Sequence, residues 1–273
     1  MSRWTIHGAR GSYAVSGQRY RRYGGSTSSF SLETDRGILV IDAGTSLAAL
    51  GESLSQRERI PPITILFTHF HLDHVVGLPA FKPLFKSGVH ITLMADPTIA
   101  GDWQRMIQTL VSNPFWPVAL LESGAAIRLE NLPPAGSSHP IELYGSEISW
   151  CQVAHPQGCV NYRIRADYRT VVVATDREHG DAALDAAFLE FCRGADVLIH
   201  DAQNIPEEQD QRCGWGHSTW QQSAEVALAS GASTLILTSH DPSRSDEAID
   251  QIVQQARERF PHTTAASEGM IVS

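Results

Sequence analysis

The sequence predicts an α/β fold in which two β-sheets pack face to face between outer helices, a four-layer αββα sandwich. Three observations support this prediction. Short apolar runs typical of strands recur along the chain, helical segments interrupt them in both halves, and no low-complexity linker or short-period repeat divides the sequence. We therefore expect one domain that spans residues 1–273.

Strand-like segments of the first half share a run of apolar residues bounded by turn-forming residues. They are Trp4–His7, Ser28–Glu33, Gly37–Asp42, Ile63–Phe67, Ile91–Met94, Ile127–Leu129 and Ile148–Val153, with one helix at Leu47–Leu54. The second half alternates strands and helices in the same style. Its strands are Val160–Ala166, Thr170–Ala174, Val197–Ile199 and Leu235–Leu237, and its helices are Ala182–Cys192, Ser218–Ala229 and Ser245–Arg259. Ser218 is expected to cap the helix that it begins.

Residues 97–121 differ from the rest of the chain. Helical segments at Asp102-Trp103 and Met106–Val111 precede the stretch from Asn113 to Pro117, where prolines end the helix and aromatic side chains become exposed. A cap over the edge of the core is one interpretation. The alternatives are a substrate lid and a subunit contact, with Phe115 and Trp116 in the interface of a homodimer.

The composition is that of an ordinary globular protein, with 42% hydrophobic and 19% charged residues. A formal net charge of −9 argues against a broad binding surface for long nucleic acids. The first residues lack the basic and apolar regions of an export signal, and no apolar run approaches the roughly 18 residues of a membrane span. Four cysteines without a Cys-x-x-Cys pair favour a reducing, cytoplasmic setting over a disulfide framework.

The most informative segment runs from His69 to His74 and directly follows the apolar run Ile63–Phe67. It carries three imidazoles and one carboxylate within six residues, and these are ligand types that catalytic zinc prefers. In an extended loop His69 and His71 would point the same way and share one ion, while Asp73 and His74 would face a second. Two ions roughly 3.5–4 Å apart can hold a hydroxide and stabilise an in-line displacement.

Further candidate ligands follow other apolar strands, where loops present functional side chains on a rigid scaffold. They are His155, Asp176, the pair His200-Asp201 and the pair His240-Asp241. One such residue alone is commonly structural, but a series of them after the first cluster predicts the other half of a two-metal site. The remaining histidines, which fit no ligand pattern, are expected in packing or at the surface: His7, His90, His139, His179 and His262.

Taken together, these segments resemble the metallo-β-lactamase fold superfamily, and within it the ribonuclease Z-like and cyclic-phosphodiesterase-like branch. The segments that carry the resemblance span nearly the whole chain. They are Gly8–Ser12, Tyr23–Thr27, Ile41–Thr45, Thr68–Gly77, His155, Thr175-Asp176, His200-Asp201, Gly214–Thr219 and His240–Pro242. The resemblance implies a dinuclear hydrolase with metal ligands His69, His71 and His155 for the first ion, Asp73, His74 and His240 for the second, and Asp176 for both.

The resemblance also implies how such a site would work. A metal-bridging hydroxide would be the nucleophile, and Asp73 would help to orient it. His217 and Asp201 would form the system that donates a proton to the leaving oxygen, although this branch often has Glu where the chain has Asp201. The alternative role of His217 is to cap the helix that follows it.

Two N-terminal segments are expected to contact a substrate phosphate. Arg10 lies in a glycine-flanked turn, and Ser26 and Thr27 offer hydroxyl and backbone N–H groups. A solvated loop is the alternative interpretation of both segments.

The interval between His155 and Asp176 bears on the substrate. Ribonuclease Z carries a long arm for tRNA between the corresponding residues, but here only about twenty residues separate the two. With the acidic balance, this favours a small or cyclic phosphodiester over RNA. The alternatives are a ribonuclease Z-like nuclease and a non-catalytic ligand-binding or biosynthetic accessory protein. Two divalent ions are expected, with zinc favoured and manganese or iron also suited to His/Asp sites.

Overall fold

The computed structural model describes residues 2–133 and 140–272, so His139 lies outside the described residues. In this part of the chain, the strands form two seven-stranded sheets. The strands are β1 (Arg3–Gly8), β2 (Ser29–Glu33), β3 (Ile38–Ile41), β4 (Ile63–Leu66), β5 (His90–Ala95), β6 (Ala126–Asn131), β7 (Ile141–Leu143), β8 (Ser146–Val153), β9 (Cys159–Ala166), β10 (Arg169–Ala174), β11 (Val197–Asp201), β12 (Thr234–Thr238), β13 (Thr263–Ala265) and β14 (Met270–Val272). The α-helices are α1 (Leu47–Ser55), α2 (Leu72–Val75), α3 (Pro97–Ala100), α4 (Trp103–Leu110), α5 (Ala182–Cys192), α6 (Trp220–Ser230) and α7 (Asp246–Arg259).

The strand order brings the parallel strands of each sheet together. The first sheet has the order β14-β1-β2-β3-β4-β5-β6, and the second has the order β13-β12-β11-β10-β9-β8-β7. Strands β3 to β6 are parallel, as are β10 to β13. Because parallel strands end at the same edge of a sheet, the residues that follow them lie close together. This edge holds the candidate site.

The core lies between the two sheets and beneath the outer helices. Phe30 and Ile199 belong to the apolar cluster between the sheets. Phe188 of α5 packs on the outer face of the second sheet, and Leu47 of α1 and Trp103 of α4 pack on the outer face of the first. The order helix, sheet, sheet, helix is the four-layer αββα sandwich that the sequence predicts.

The segment that carries the candidate ligands is not extended throughout. Residues Leu72–Val75 form the helical turn α2, which buries Asp73 and His74. The turn closes because the His74 N–H donates to the carbonyl of His71 at 3.0 Å. Asp73 and His74 are therefore directed by a helix rather than by an extended loop.

The cap of α6 also differs from the expectation. Thr219, not Ser218, is the N-cap residue, and its hydroxyl accepts a hydrogen bond from the Gln222 N–H at 3.2 Å. Ser218 instead donates its hydroxyl proton to the carbonyl of Arg177 at 2.8 Å. The short strands β7, β13 and β14 were not expected from the sequence, because three residues carry too little periodicity to indicate a strand.

Residues 97–121 contain α3 and α4, which cover one end of the first sheet. Trp103 and Ile107 are buried in its outer core, whereas Met106 and Phe115 are exposed. The buried face of this segment agrees with a cap over the edge of the core. A substrate lid or a subunit contact on its exposed face stays a prediction. None of the helices in residues 2–133 and 140–272 is long and apolar enough to cross a membrane.

One buried hydrogen bond joins the two sheets directly beneath the candidate ligands. Tyr162 of β9 donates its hydroxyl proton to the carbonyl of Phe67, at the end of β4, over 2.7 Å. Burial raises the pKa of Tyr162 well above its ordinary value, so the hydroxyl keeps its proton. The bond fixes the strand end of one sheet against the other.

Tyr162→Phe removes this donor from a buried carbonyl, which costs about 1–3 kcal/mol. We expect the free energy of unfolding, measured in urea, to fall by that amount. Tyr168→Phe is a matched control because the Tyr168 side chain is fully exposed, and its unfolding midpoint should not change. Equal stability of the Tyr162→Phe variant and the wild type would contradict a stabilising role for this bond.

Candidate metal centre

A buried carboxylate at the end of β3 organises the segment that carries the histidines. Asp42 accepts hydrogen bonds from the backbone N–H and from the hydroxyl of Thr68, each at 2.8 Å. Its carboxylate also accepts from Nδ1 of His74 at 2.8 Å. This bond fixes the orientation of the His74 ring, with its Nε2 directed into the site. Asp42 lies in the segment Ile41–Thr45 that carries the family resemblance, but the sequence did not indicate that it would orient the histidines.

Four of the predicted ligands come together at one point. The ligand atoms of His69, His71, His155 and Asp176 all lie within 4.8 Å of one another. Nε2 of His155 is 3.0 Å from Nδ1 of His71, and Oδ2 of Asp176 is 3.6 Å from Nε2 of His69 and 3.7 Å from Nε2 of His155. Three imidazoles and one carboxylate around a common point are a donor set that suits zinc.

A contact at one ring nitrogen orients each of these three imidazoles. His155 donates from Nδ1 to the carbonyl of Gly216 at 2.8 Å, which leaves its Nε2 as the free lone pair. Nε2 of His71 is 2.8 Å from Oε1 of Gln157. Nδ1 of His69 is 3.0 Å from the Thr68 hydroxyl, which gives its own proton to a carboxylate. Such contacts orient metal-binding imidazoles and raise their basicity.

Gly216 holds its carbonyl in place only because it lacks a side chain. Its φ of +88° lies in the left-handed region, and a Cβ there would lie 2.2 Å from Nδ1 of His155. Any other residue would displace the imidazole that this carbonyl orients.

A second group of ligand atoms lies next to the first. Nε2 of His74 is 3.3 Å from Oδ2 of Asp73 and 3.5 Å from Oδ1 of Asp176. Oδ2 of Asp73 also accepts from the backbone N–H of Ser12 at 2.8 Å. Since Oδ2 of Asp176 faces the first group and Oδ1 faces His74, this carboxylate connects the two.

Two nitrogen atoms support a fit between these residues and divalent cations. Nε2 of His69 is buried and has no hydrogen-bond partner among the described residues, which is costly unless something else satisfies it. Nε2 of His74 is also buried, and it faces the carboxylates of Asp73 and Asp176 at 3.3 and 3.5 Å. Burial lowers the pKa of His69 well below its ordinary value, so the ring is neutral and its lone pair is available. Burial also acts to lower the pKa of His74, but the carboxylates of Asp73, Asp176 and Asp42 outweigh it and raise this pKa well above its ordinary value. A cation at this position would replace the proton.

His240 does not join either group, which corrects its predicted placement. Its Nε2 donates to the carbonyl of Ala266 at 3.0 Å, and its ring packs edge-on against Tyr23 with centroids 5.8 Å apart. The preceding residue, Ser239, occupies the side of the site where His240 was expected. Its hydroxyl is 3.3 Å from Oδ1 of Asp176. Adjacent residues at a strand end point to opposite sides, so a shift of one position exchanges the two side chains.

The predicted proton donor pair is assembled beside the metal ligands. Nδ1 of His217 donates to Oδ2 of Asp201 at 3.0 Å, and Nε2 of His217 lies 4.0 Å from Oδ2 of Asp176. Burial by itself lowers the pKa of His217, but the carboxylates of Asp201 and Asp176 outweigh it and raise the pKa to about 9. His217 is therefore protonated at neutral pH and faces the site. It does not cap α6, because Thr219 does.

Backbone N–H groups around Asp201 fix the position of its carboxylate. Its carboxylate accepts from the N–H groups of Arg177, Gln203 and Ser218 at 3.2, 3.0 and 3.1 Å. Burial raises the pKa of Asp201 above its ordinary value, while the hydrogen bond from His217 acts against this rise. His200, next to it, is turned away and donates from Nδ1 to the carbonyl of Asp201 at 2.8 Å.

The predicted substrate contacts of Arg10, Ser26 and Thr27 are not supported. Arg10 is buried, and its guanidinium donates to the carbonyls of Gly24, Asp241 and Arg244. The Thr27 hydroxyl is buried and accepts from the Thr45 N–H at 2.9 Å. Ser26 accepts from the Ala9 and Arg10 N–H groups through its carbonyl and donates its own N–H to Glu268. These residues join the N-terminal loop to the rest of the protein.

Two cavities meet at His71. A polar cavity of about 270 Å³ is lined by Ser12, His71, Asp73, Asp176, Gln203, Trp215 and His217. A largely apolar cavity of about 360 Å³ lies on the other side, against Phe70, Ile99, Met106, Pro156 and Gly158, and also touches His69 and His71. Gln203 and Trp215 have no predicted role because neither is a ligand type, although Trp215 lies within the segment Gly214–Thr219.

Comparisons with known proteins agree with this fold. A family described as the beta-lactamase superfamily domain matches residues 38–240. Ribonuclease Z from Exiguobacterium sibiricum is 25% identical over 232 residues, which cover 72% of this chain and 77% of that protein. The metallo-beta-lactamase fold protein YhfI from Bacillus subtilis has a TM-score of 0.73 at 19% identity, over 99% of this chain and 98% of that chain. A diphosphatase from the PhnP family has a TM-score of 0.70 at 18% identity, over 100% and 98%.

Zinc should stabilise the folded protein if these groups bind it, because the ligands converge only after folding. At a free zinc concentration a hundredfold above Kd, the gain is about 2.7 kcal/mol, measured as a rise in Tm. His69→Ala should abolish that rise. His90→Ala, which removes an exposed histidine of β5, is the matched control and should retain it. A zinc-dependent rise of equal size in both variants would contradict the centre described above.

Proposed function

Because the chain belongs to the beta-lactamase superfamily domain family, we propose that this metal-dependent hydrolase is a dinuclear phosphodiesterase that acts on a small or cyclic phosphodiester. The observation that carries the proposal is the hydrogen-bonded pair of His217 and Asp201, which points its free Nε2 at the Asp176 edge of the metal ligands. Hydrolysis of a phosphodiester needs an attacking oxygen and a proton for the leaving oxygen. The arrangement offers a place for each.

The residues that would hold the ions have separate tasks. His69, His71, His155 and Asp176 would bind one ion, and Asp73, His74 and Asp176 would bind the other. Divalent ions there would supply the attacking oxygen, since they lower the pKa of bound water towards about 7, and would bind the anionic phosphate. Asp73 is held by the Ser12 N–H and lines the polar cavity, so its carboxylate is placed to orient a water molecule.

The proposed proton donor is His217. With its pKa raised to about 9, the imidazole carries a proton at neutral pH and lines the same polar cavity. Asp201 accepts from the other nitrogen and so fixes which ring atom faces the substrate. General acid catalysis of this kind contributes about 10²–10⁴-fold to a rate.

Three features support a small substrate. The two cavities of about 270 and 360 Å³ together are in the size range of a nucleotide-sized ligand. Between His155 and Asp176 the chain forms only the hairpin of β9 and β10, joined at Asp167 and Tyr168, and carries no arm at this point. The residues that line the polar cavity include two carboxylates and neither arginine nor lysine, so phosphate binding would depend on the ions and on His217.

The apolar cavity suggests what the rest of the substrate is. Phe70, Ile99 and Met106 line the same apolar cavity as the proposed metal ligands His69 and His71. A flat apolar group attached to the diester, such as a nucleobase or another aromatic ring, fits this surface. Hydrolysis at RNA ends is the second candidate, because a curated relative is a ribonuclease Z.

The first test uses bis-p-nitrophenyl phosphate with zinc-loaded or manganese-loaded protein. We expect hydrolysis by the wild type, and a loss of about 10²-fold or more in kcat/KM for His69→Ala and Asp176→Ala, because each removes a metal ligand. His90→Ala is the control and should keep full activity. Unchanged activity in both ligand variants would rule out the proposed site. A parallel comparison of cyclic nucleotides with short RNA distinguishes the two candidate substrates.

The second test separates the proton donor from the metal ions. For a diester with a poor alkoxide leaving group, His217→Gln and Asp201→Asn should lower kcat by about 10²–10⁴-fold. For an aryl diester, whose phenolate leaves without a proton, the loss should be much smaller. Metal content should stay at the wild-type value in both variants. Equal losses with both leaving groups would show that His217 acts in some other way.

A further inference from the structure

We propose that the two metal sites are unequal, with a first site that binds zinc tightly and a second, exchangeable site that binds zinc more weakly and accepts a harder cation such as Mn²⁺. This inference rests on the proposed metal centre but not on diester hydrolysis. It starts from the residue that faces the second site beside Asp176. Where an imidazole was expected, the structure has the hydroxyl of Ser239.

Ser239 is held in place by its backbone and by its hydrogen bonds. Its φ of +55° is in the left-handed region, which non-glycine residues adopt rarely, and this turns the hydroxyl toward Asp176. The hydroxyl lies 3.3 Å from Oδ1 of Asp176 and 3.2 Å from the carbonyl of Thr175. A neutral hydroxyl is a far weaker ligand for zinc than a neutral imidazole.

His240 cannot replace Ser239 without a rearrangement of the backbone. Its N–H donates to the carbonyl of Ala9 at 2.8 Å, and its own carbonyl accepts from the Gly11 N–H at 3.1 Å. The ring is buried, and its Nε2 carries the proton donated to Ala266, so that nitrogen has no lone pair for a metal. The backbone on both sides and the ring are therefore fixed away from the site.

The donor sets of the two sites differ as a result. The first site offers three imidazole nitrogens and one carboxylate oxygen, from His69, His71, His155 and Asp176. The second offers one imidazole nitrogen from His74 and carboxylate oxygens from Asp73 and Asp176, with only the Ser239 hydroxyl on the remaining side. Imidazole-rich sites suit zinc, whereas carboxylate, hydroxyl and water ligands suit manganese and magnesium.

The test is a metal titration of the whole, metal-free protein. We expect calorimetry to resolve two zinc-binding events, the second weaker by about tenfold or more because it lacks one imidazole. With one equivalent of zinc already bound, Mn²⁺ should fill the second site and give a bound-manganese signal in electron paramagnetic resonance. Two zinc ions bound with equal affinity, or no manganese bound to the one-zinc protein, would overturn the proposal.

Three variants assign the events to residues. Ser239→His places an imidazole on the open side and should strengthen the second zinc event by about tenfold, since histidine tolerates the left-handed region. His240→Gln should leave both events unchanged, whereas Asp73→Asn should weaken only the second. Loss of one zinc in His240→Gln would overturn the proposal. The wild-type titration decides the question even where Ser239→His fails to fold, and failure of diester hydrolysis would leave these affinities unaffected.

Discussion

The buried carboxylate of Asp42 sets the geometry of the candidate centre. It joins the ends of two parallel strands, because it follows β3 and accepts two hydrogen bonds from Thr68 after β4. The same carboxylate accepts from Nδ1 of His74, and the Thr68 hydroxyl that it holds contacts Nδ1 of His69. One buried carboxylate thus orients two imidazoles and leaves both Nε2 atoms directed at the site. Both atoms are among the buried nitrogens for which the described residues offer no hydrogen bond.

The second sheet completes the centre and adds the buried carboxylates of Asp176 and Asp201. Asp42, Asp73, Asp176 and Asp201 are all buried at the edge where the sheets meet. Carboxylates this close repel one another, and taking them out of water is costly unless cations or hydrogen bonds compensate. Backbone N–H groups and His217 satisfy Asp201, but Asp73 and Asp176 face mainly imidazoles. Metal binding by these residues would therefore stabilise the folded protein.

The sequence predicted the fold and most of the site because strand ends are visible as apolar runs followed by polar residues. That signal located His155, Asp176 and Asp201 correctly within the fold. The same signal did not distinguish Ser239 from His240. Both residues follow the same strand, and only the backbone conformation decides which side chain faces the site. The expected phosphate contact of Arg10 rested on its charge. In the structure its guanidinium instead donates hydrogen bonds to three buried carbonyls. The sequence indicates which strand end a residue occupies, but the direction of its side chain depends on tertiary contacts.

The segment that follows the 3-10 turn at Pro206–Gln211 contacts a proposed metal ligand and carries the proposed proton donor. Glu178 accepts from the N–H groups of Gly214 and Gly216 at 2.6 and 2.8 Å, which fixes the backbone of this segment. The carbonyl of Gly216 then orients His155, while the next residue, His217, points at Asp176. A shift of this backbone would move a metal ligand and the proton donor together. In the proposed reaction, one segment would therefore position both a ligand of the first ion and the proton donor to the leaving oxygen.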